Sequence, residues 1–125
     1  MKKTLNRNEE LRIGDIVFAE IHGEGHTQDG DRPAVVIQND VGNKHSPNLI
    51  VFPITGRIRH TYLPTHVVLS AKTTGMPKDS MVLCENPVTL PQENVKWRCG
   101  ALSREDFSRV CKAALVSMPF DKYIA

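Results

Sequence analysis

Two short stretches of the chain pair a chemically useful side chain with a strand that could hold it still. In the first, Gly30-Asp31-Arg32-Pro33, a turn delivers Arg32 to the mouth of an apolar run, Ala34 to Ile37. Pro33 sets the backbone at a strand's first residue, where a missing N–H does least harm. A guanidinium held there can make two charge-assisted bonds to a phosphate or carboxylate. In the second, Thr55 follows the apolar run Leu49 to Ile54 and precedes Gly56, which allows a ligand close to the backbone. Each residue also has a plainer reading. Arg32 can pair with Asp29 or Asp31 on the surface, a contact worth little, and spacing alone favours that reading. Thr55 can make a local turn bond.

Beyond Thr55 the chain turns basic and aromatic: Arg57, Arg59, His60 and Tyr62. That combination can hold single-stranded nucleic acid through phosphate contacts and base stacking, or it can be a solvated loop. Lys44 and His45 could extend the patch from a neighbouring loop. Other chemistries find less support. The acids are scattered over turns and helix surface, without the carboxylate cluster that a divalent ion needs. His22 and His26 have the spacing of two helical metal ligands, but Gly23 and Gly25 speak for a loop. His26 and His60 are also candidates for proton transfer, because imidazole titrates in the useful range. No glycine-rich phosphate loop followed by Lys and Ser/Thr is present. Cys84, Cys99 and Cys111 form no C-x-x-C and read as reduced, mostly buried thiols.

These side chains need a scaffold, and the hydrophobic pattern supplies one. Strands are expected at Ile16 to Ile21, Pro33 to Gln38, Leu49 to Ile54, Thr65 to Leu69 and Ser80 to Cys84. Gln38 and Asn39, at the far end of the second strand, read as fold-supporting groups. His22 to Asp31 and Asp40 to Asn48 read as loops, and Gly75-Met76-Pro77 as a turn. Pro91 to Asn94 could form a single helical turn. Ser103 with Asp106 marks a helix start, and Phe107, Val110, Cys111, Ala114, Leu115 and Met118 repeat at the spacing of an amphipathic helix. Pro119 ends it. Residues Met1 to Arg12 read as a loose arm. The whole reads as a small antiparallel barrel with a C-terminal helix packed on it.

The bulk numbers agree with one domain over residues 1–125. The chain is 40% hydrophobic and 24% charged, with a formal net charge of +2. One core is expected, with no call for a strongly basic nucleic-acid binder. No apolar run approaches the length of a membrane span, and Met1-Lys2-Lys3 leads into polar residues, so a cytoplasmic protein is expected.

Taken in order, several strings carry more than their chemistry. They are R-I-G-D-I-V-F-A (Arg12 to Ala19), R-P-A-V-V-I-Q-N-D-V-G-N (Arg32 to Asn43) and S-P-N-L-I-V (Ser46 to Val51). I-T-G-R-I (Ile54 to Ile58), L-P-T-H-V (Leu63 to Val67) and D-S-M-V-L-C-E (Asp79 to Glu85) follow. Their sequence and order resemble the MazF/PemK toxins of bacterial toxin–antitoxin modules. The resemblance implies an SH3-like, CcdB-like barrel and a homodimer. It also implies a sequence-specific, metal-independent endoribonuclease, an mRNA interferase, with no cofactor. The family's catalytic pair falls on Arg32 and Thr55. Its RNA contacts fall on Gln28, Lys44, His45, Ser46, Arg57, Arg59, His60, Glu85 and Asn86. The implied partners are single-stranded RNA and an antitoxin with an acidic, disordered tail; DNA is met only through the antitoxin. The loop His22 to Asp31 and the pair Asn86-Pro87 depart from common relatives, so the RNA sequence cut should be this chain's own.

Two other functions fit such a fold, since fold does not fix function. One is a CcdB-like gyrase poison, which has no need of Arg32 and Thr55 together and relies on an exposed C-terminal end. The end here, Asp121 to Ala125, shows no such likeness. The other is a barrel that binds RNA or protein without cutting.

Overall fold

The computed structural model describes residues 10–22 and 30–125. In chain order the elements are β1 (Asp15–Ile21), β2 (Gly30–Val36), α1 (Asp40–His45), β3 (Asn48–Thr55), β4 (His66–Leu69) and α2 (Ala71–Thr74). They continue with β5 (Ser80–Leu83), β6 (Val88–Pro91), β7 (Val95–Ala101) and α3 (Arg104–Ser117). All strand pairs are antiparallel. The sheet order is β4-β5-β3-β2-β1-β7, with β6 also on β3.

β3 is the hub. One edge pairs with β2, while the other takes β6 along its first half and β5 at its end. This sharing folds the sheet on itself. β4 and β7 do not pair with each other, so the expected barrel is an open, folded sheet; its mainly-β character and terminal helix are as expected.

The run Leu49 to Ile54 is apolar throughout because both faces of β3 are covered. Phe52 and Ile54 join Ile16, Val35, Val82 and Leu69 in one cluster, roofed by Val110 and Ala113 of α3. Leu49 and Val51 join Val17, Ala19, Ala34 and Val36 in a second cluster on the opposite face. Period-two alternation therefore sorts each strand between two cores.

Several expectations need correction. Among the described residues seven strands form where the hydrophobic pattern showed five: β6 and β7 follow β5, joined by a 3-10 turn at Gln92–Asn94 that is the single helical turn expected there. The loop Asp40 to Asn48 contains α1, capped by Asn39, whose side chain accepts the Gly42 N–H at 2.8 Å. α2 stands just before the turn at Gly75. The arm Met1 to Arg12 lies mostly outside the described residues, but Leu11 is buried in the second cluster.

α3 starts as the sequence implies, with Ser103 Oγ accepting the Asp106 N–H at 3.1 Å. Its apolar stripe is only partly sealed: Cys111 and Leu115 are exposed and line a cleft of about 360 Å³ between α3 and the sheet, together with Ile13, Phe52 and Met118. Of the three thiols only Cys84 is buried. Burial and the neighbouring Glu85 carboxylate push it up to about 12, which makes it an unreactive core group. Among the described residues no helix is long and apolar enough to cross a membrane.

Candidate active site

Register places Arg32 and Thr55 toward the same end of β2 and β3. β2 and β3 pair Val36 with Val51, Val35 with Phe52 and Ala34 with Pro53. Extended two steps past its last pair, the same register would bring Arg32 level with Thr55. Parity agrees, since Ala34, Val36, Leu49 and Val51 all belong to the second cluster, and Arg32 and Thr55 lie in phase with them. Both side chains therefore project from one face at one end of a strand pair. The ladder stops just short of them, and Pro33 and Pro53, which lack N–H donors, stand where it ends. On its other side Arg32 pairs with Ala19 of β1. Its Nε is buried.

Thr55 is 6% exposed. Its Oγ1 accepts the Arg57 N–H at 3.1 Å. With one lone pair taken, the hydroxyl proton is left to donate elsewhere. Beside it, Gly56 is covered by the end of Lys78: a methyl group on Gly56 would come within 2.7 Å of Lys78 Nζ. Lys78 is a second cation at this end of β3, and sequence reasoning missed it.

The basic segment continues directly from Thr55. β3 and β4 both run antiparallel to β5, so they are parallel to each other. Residues 56–65 must therefore return along the length of β5. The Val82 face of β5 belongs to the core under α3, and the link takes the other face, where Met81 is buried opposite Thr55. Arg57, Arg59, His60 and Tyr62 are all exposed on this crossover. Tyr62 Oη and His60 Nδ1 are 3.3 Å apart, and their rings meet edge to face at 5.8 Å.

Glu85 follows β5 and is tied inward. Its Oε2 accepts the Thr65 hydroxyl at 2.8 Å and lies 2.7 Å from His66 Nε2. Its Oε1 is buried without a hydrogen-bond partner among the described residues. Asn86 adjoins it in the turn closed by Asn86 N–H on the Leu83 carbonyl at 3.2 Å.

The remaining expected contacts are not brought together with these. Lys44 and His45 lie in α1, and Ser46 caps it, at the opposite end of β2 and β3 from Arg32 and Thr55. At ~3.3 Å per strand residue the separation is on the order of 20 Å. Lys44 Nζ there faces Glu10 at 3.6 Å, and Ser46 Oγ accepts the Asn48 N–H at 3.0 Å. Gln28 and His26 lie outside the described residues. His22, at the mouth of the β1–β2 hairpin, has Nε2 3.5 Å from Glu20. Among the described residues no three His, Cys, Asp or Glu side chains are gathered closely enough to hold a metal ion.

With this geometry in view, the comparison with known families is decisive. Residues 12–118 match the family described as PemK-like, MazF-like toxin of type II toxin–antitoxin system. The chain belongs to this PemK/MazF family. Its fold agrees with solved PemK/MazF structures. The Mycobacterium tuberculosis toxin MazF-mt6 is 25% identical, with TM-score 0.71 over 84% of this chain and 96% of that one. MazF from Deinococcus radiodurans reaches TM-score 0.77 at 19% identity, over 90% of this chain and 99% of that one. An endoribonuclease in complex with its cognate antitoxin, from a mycobacterial species, has TM-score 0.68 at 15% identity, over 88% and 94%. The PemK/MazF match spans all the elements that carry Arg32, Thr55, the basic crossover and Glu85.

Proposed function

We propose that this PemK/MazF toxin is an endoribonuclease that cuts single-stranded RNA at sites chosen by base sequence, with Arg32 and Thr55 at the reacting phosphate. The observation that supports the reading is the β2–β3 register, which puts Arg32 and Thr55 at the same end of the strand pair, next to a basic, aromatic crossover. Neighbours described as endoribonucleases support the same reading.

In the reaction the ribose 2′-oxygen forms a bond to the adjacent phosphorus as the bond to the 5′-oxygen breaks. The 2′ proton is lost and a proton is gained by the leaving oxygen, giving a 2′,3′-cyclic phosphate and a 5′-OH. The nucleophile belongs to the RNA. Arg32 stabilises the charge that builds on the phosphoryl oxygens. A guanidinium is a poor base near neutral pH, so this electrostatic role is its main one. Thr55, already accepting from Arg57, donates its hydroxyl proton to a phosphoryl oxygen. Arg57 and Arg59 hold flanking phosphates, and Tyr62 offers a stacking surface.

The test is incubation of the protein with a long single-stranded RNA in EDTA, followed by mapping of cut ends. Discrete fragments ending in cyclic phosphate are expected. RNA carrying a 2′-deoxy sugar at the cut position should bind and stay intact; its cleavage would refute the mechanism.

Two partners belong to the same reading. One is an antitoxin whose acidic tail folds over the cationic crossover, as coupled folding and binding; complexes between relatives and antitoxins support it. The other is a second copy of the chain. Exposed apolar residues on α3 and the tail, among them Val116, Phe120, Tyr123 and Ile124, supply a surface for it. Light scattering should give the mass of two chains, and a one-chain mass at micromolar concentration would remove the homodimer.

A further inference from the structure

His66 opens β4, and its side chain is only 10% exposed. Its Nδ1 lies 3.1 Å from the His60 carbonyl oxygen and 3.3 Å from that of Arg59. Its Nε2 lies 2.7 Å from Glu85 Oε2, the oxygen that also accepts the Thr65 hydroxyl. Carbonyl and carboxylate oxygens only accept, so the bridge is complete when each ring nitrogen carries a proton. One imidazole thus joins the crossover to the end of β5.

The crossover needs such a tie. His60 has φ of +52°, a left-handed conformation that a non-glycine residue keeps only when its surroundings hold it. Two consecutive turns follow, Leu63 N–H on the His60 carbonyl and His66 N–H on the Leu63 carbonyl, both at 3.0 Å. The His66 ring then reaches back and closes this segment on itself. Arg59, His60 and Tyr62 are exposed on the outer side, while the ring sits beneath them with both nitrogens engaged by protein.

We propose that His66 is a positioning residue: mounted as the first residue of β4, it grips the Arg59 and His60 carbonyls through Nδ1 and so fixes how the basic crossover is presented beside Thr55, the Glu85 contact of its other nitrogen being secondary. The kinetic consequence rests on the nuclease reading above; the structural one does not.

Two near-isosteric substitutions separate the halves of the bridge. Asparagine places its amide nitrogen near the position of Nδ1, and glutamine near that of Nε2. His66→Asn should keep the grip on the crossover and lose the Glu85 contact. His66→Gln should keep Glu85 and release the crossover. Amide hydrogen exchange across residues 57–63 should therefore accelerate at least tenfold more in His66→Gln than in His66→Asn. With RNA, His66→Gln should raise KM about tenfold, the cost of roughly one lost hydrogen bond, with kcat changed much less and the set of cut sites broadened. His66→Asn should stay within about threefold of wild type in both constants.

Equal exchange in the two variants would overturn the proposal. So would a loss confined to kcat and shared by both, which would put the ring in the chemistry. If wild-type protein leaves RNA intact while His66→Gln still loosens residues 57–63, the nuclease reading fails and the positioning role stands.

Discussion

Replacing Arg32 with alanine should lower the rate of RNA cleavage by about 10³-fold, the scale for losing a preorganised donor at a developing oxyanion. The loss should appear in kcat. Affinity for an RNA blocked by a 2′-deoxy sugar at the cut position should fall less than tenfold, because Arg57 and Arg59 still hold flanking phosphates. Arg32→Lys keeps the charge but not the planar fork, and should recover only about tenfold of the loss. Thr55→Ala should cost about 10²-fold, while Thr55→Ser, which retains the hydroxyl, should stay near wild type. Single-turnover cleavage of one end-labelled RNA measures all four. An Arg32→Ala protein retaining a tenth of the wild-type rate would remove Arg32 from the reacting phosphate. The prediction is sharp because Arg32 is mounted on a strand: its neighbours Ala19 and Ala34 are fully buried, so truncation leaves the frame in place.

Why Arg32 and Thr55 were legible, and other residues were not, follows from how each is held. β2 and β3 are buried on both faces, which writes them into the sequence as continuous apolar runs with punctuation at each end. Arg32 and Thr55 stand at that punctuation, and only the register between the strands was hidden. β6 and β7 carry alternating polar residues, and the β1–β7 pairing is interrupted by two register shifts, so no run announces them. α1 was hidden for another reason. Its sequence, Asp40 to His45, has the composition of a loop, and side chains hold it as a helix. Asn43 is buried, donating to the Gln38 carbonyl at 2.8 Å, while Gln38 donates to Asn43 Oδ1 at 3.0 Å. Gln38 and Asn39 thus support the fold, as their place at the strand's end suggested. Charge grouped Lys44 and His45 with Arg57 and Arg59, but strand direction sends the two groups to opposite ends. His66 gave a weak signal: a histidine inside Pro64-Thr65-His66-Val67-Val68-Leu69 looks like an ordinary strand start. Its meaning appears only when β4 and β5 pair and bring Glu85 across from it. Lys78 reads as a turn residue until β5 lies beside β3.

The largest effect on stability should come from Asp15, a buried carboxylate remote from the Arg32 end of β2. Asp15 is 4% exposed. Its Oδ2 accepts the Arg12 N–H at 2.8 Å, and Arg98 grips both carboxylate oxygens, Nε to Oδ2 at 3.1 Å and Nη2 to Oδ1 at 3.2 Å. The same corner fastens three segments. Gly14, at φ of +90°, donates its N–H to the Val36 carbonyl at 2.8 Å and accepts the Leu102 N–H at 2.9 Å. One turn thus locks the start of β1 to the end of β2 and to the chain leaving β7. Asp15→Ala removes the acceptor for a backbone N–H and for a guanidinium at once. Breaking a buried pair typically costs 3–5 kcal/mol, but the Arg98 side chain is 38% exposed and can regain water. The expected loss is therefore about 3 kcal/mol, or about a 10 °C fall in Tm for a chain of this size. Asp15→Asn keeps one acceptor oxygen and should lose about half as much. Urea unfolding of the three proteins at equal m-value decides it. A loss under about 1 kcal/mol for Asp15→Ala would show that the turn is held by its backbone bonds alone.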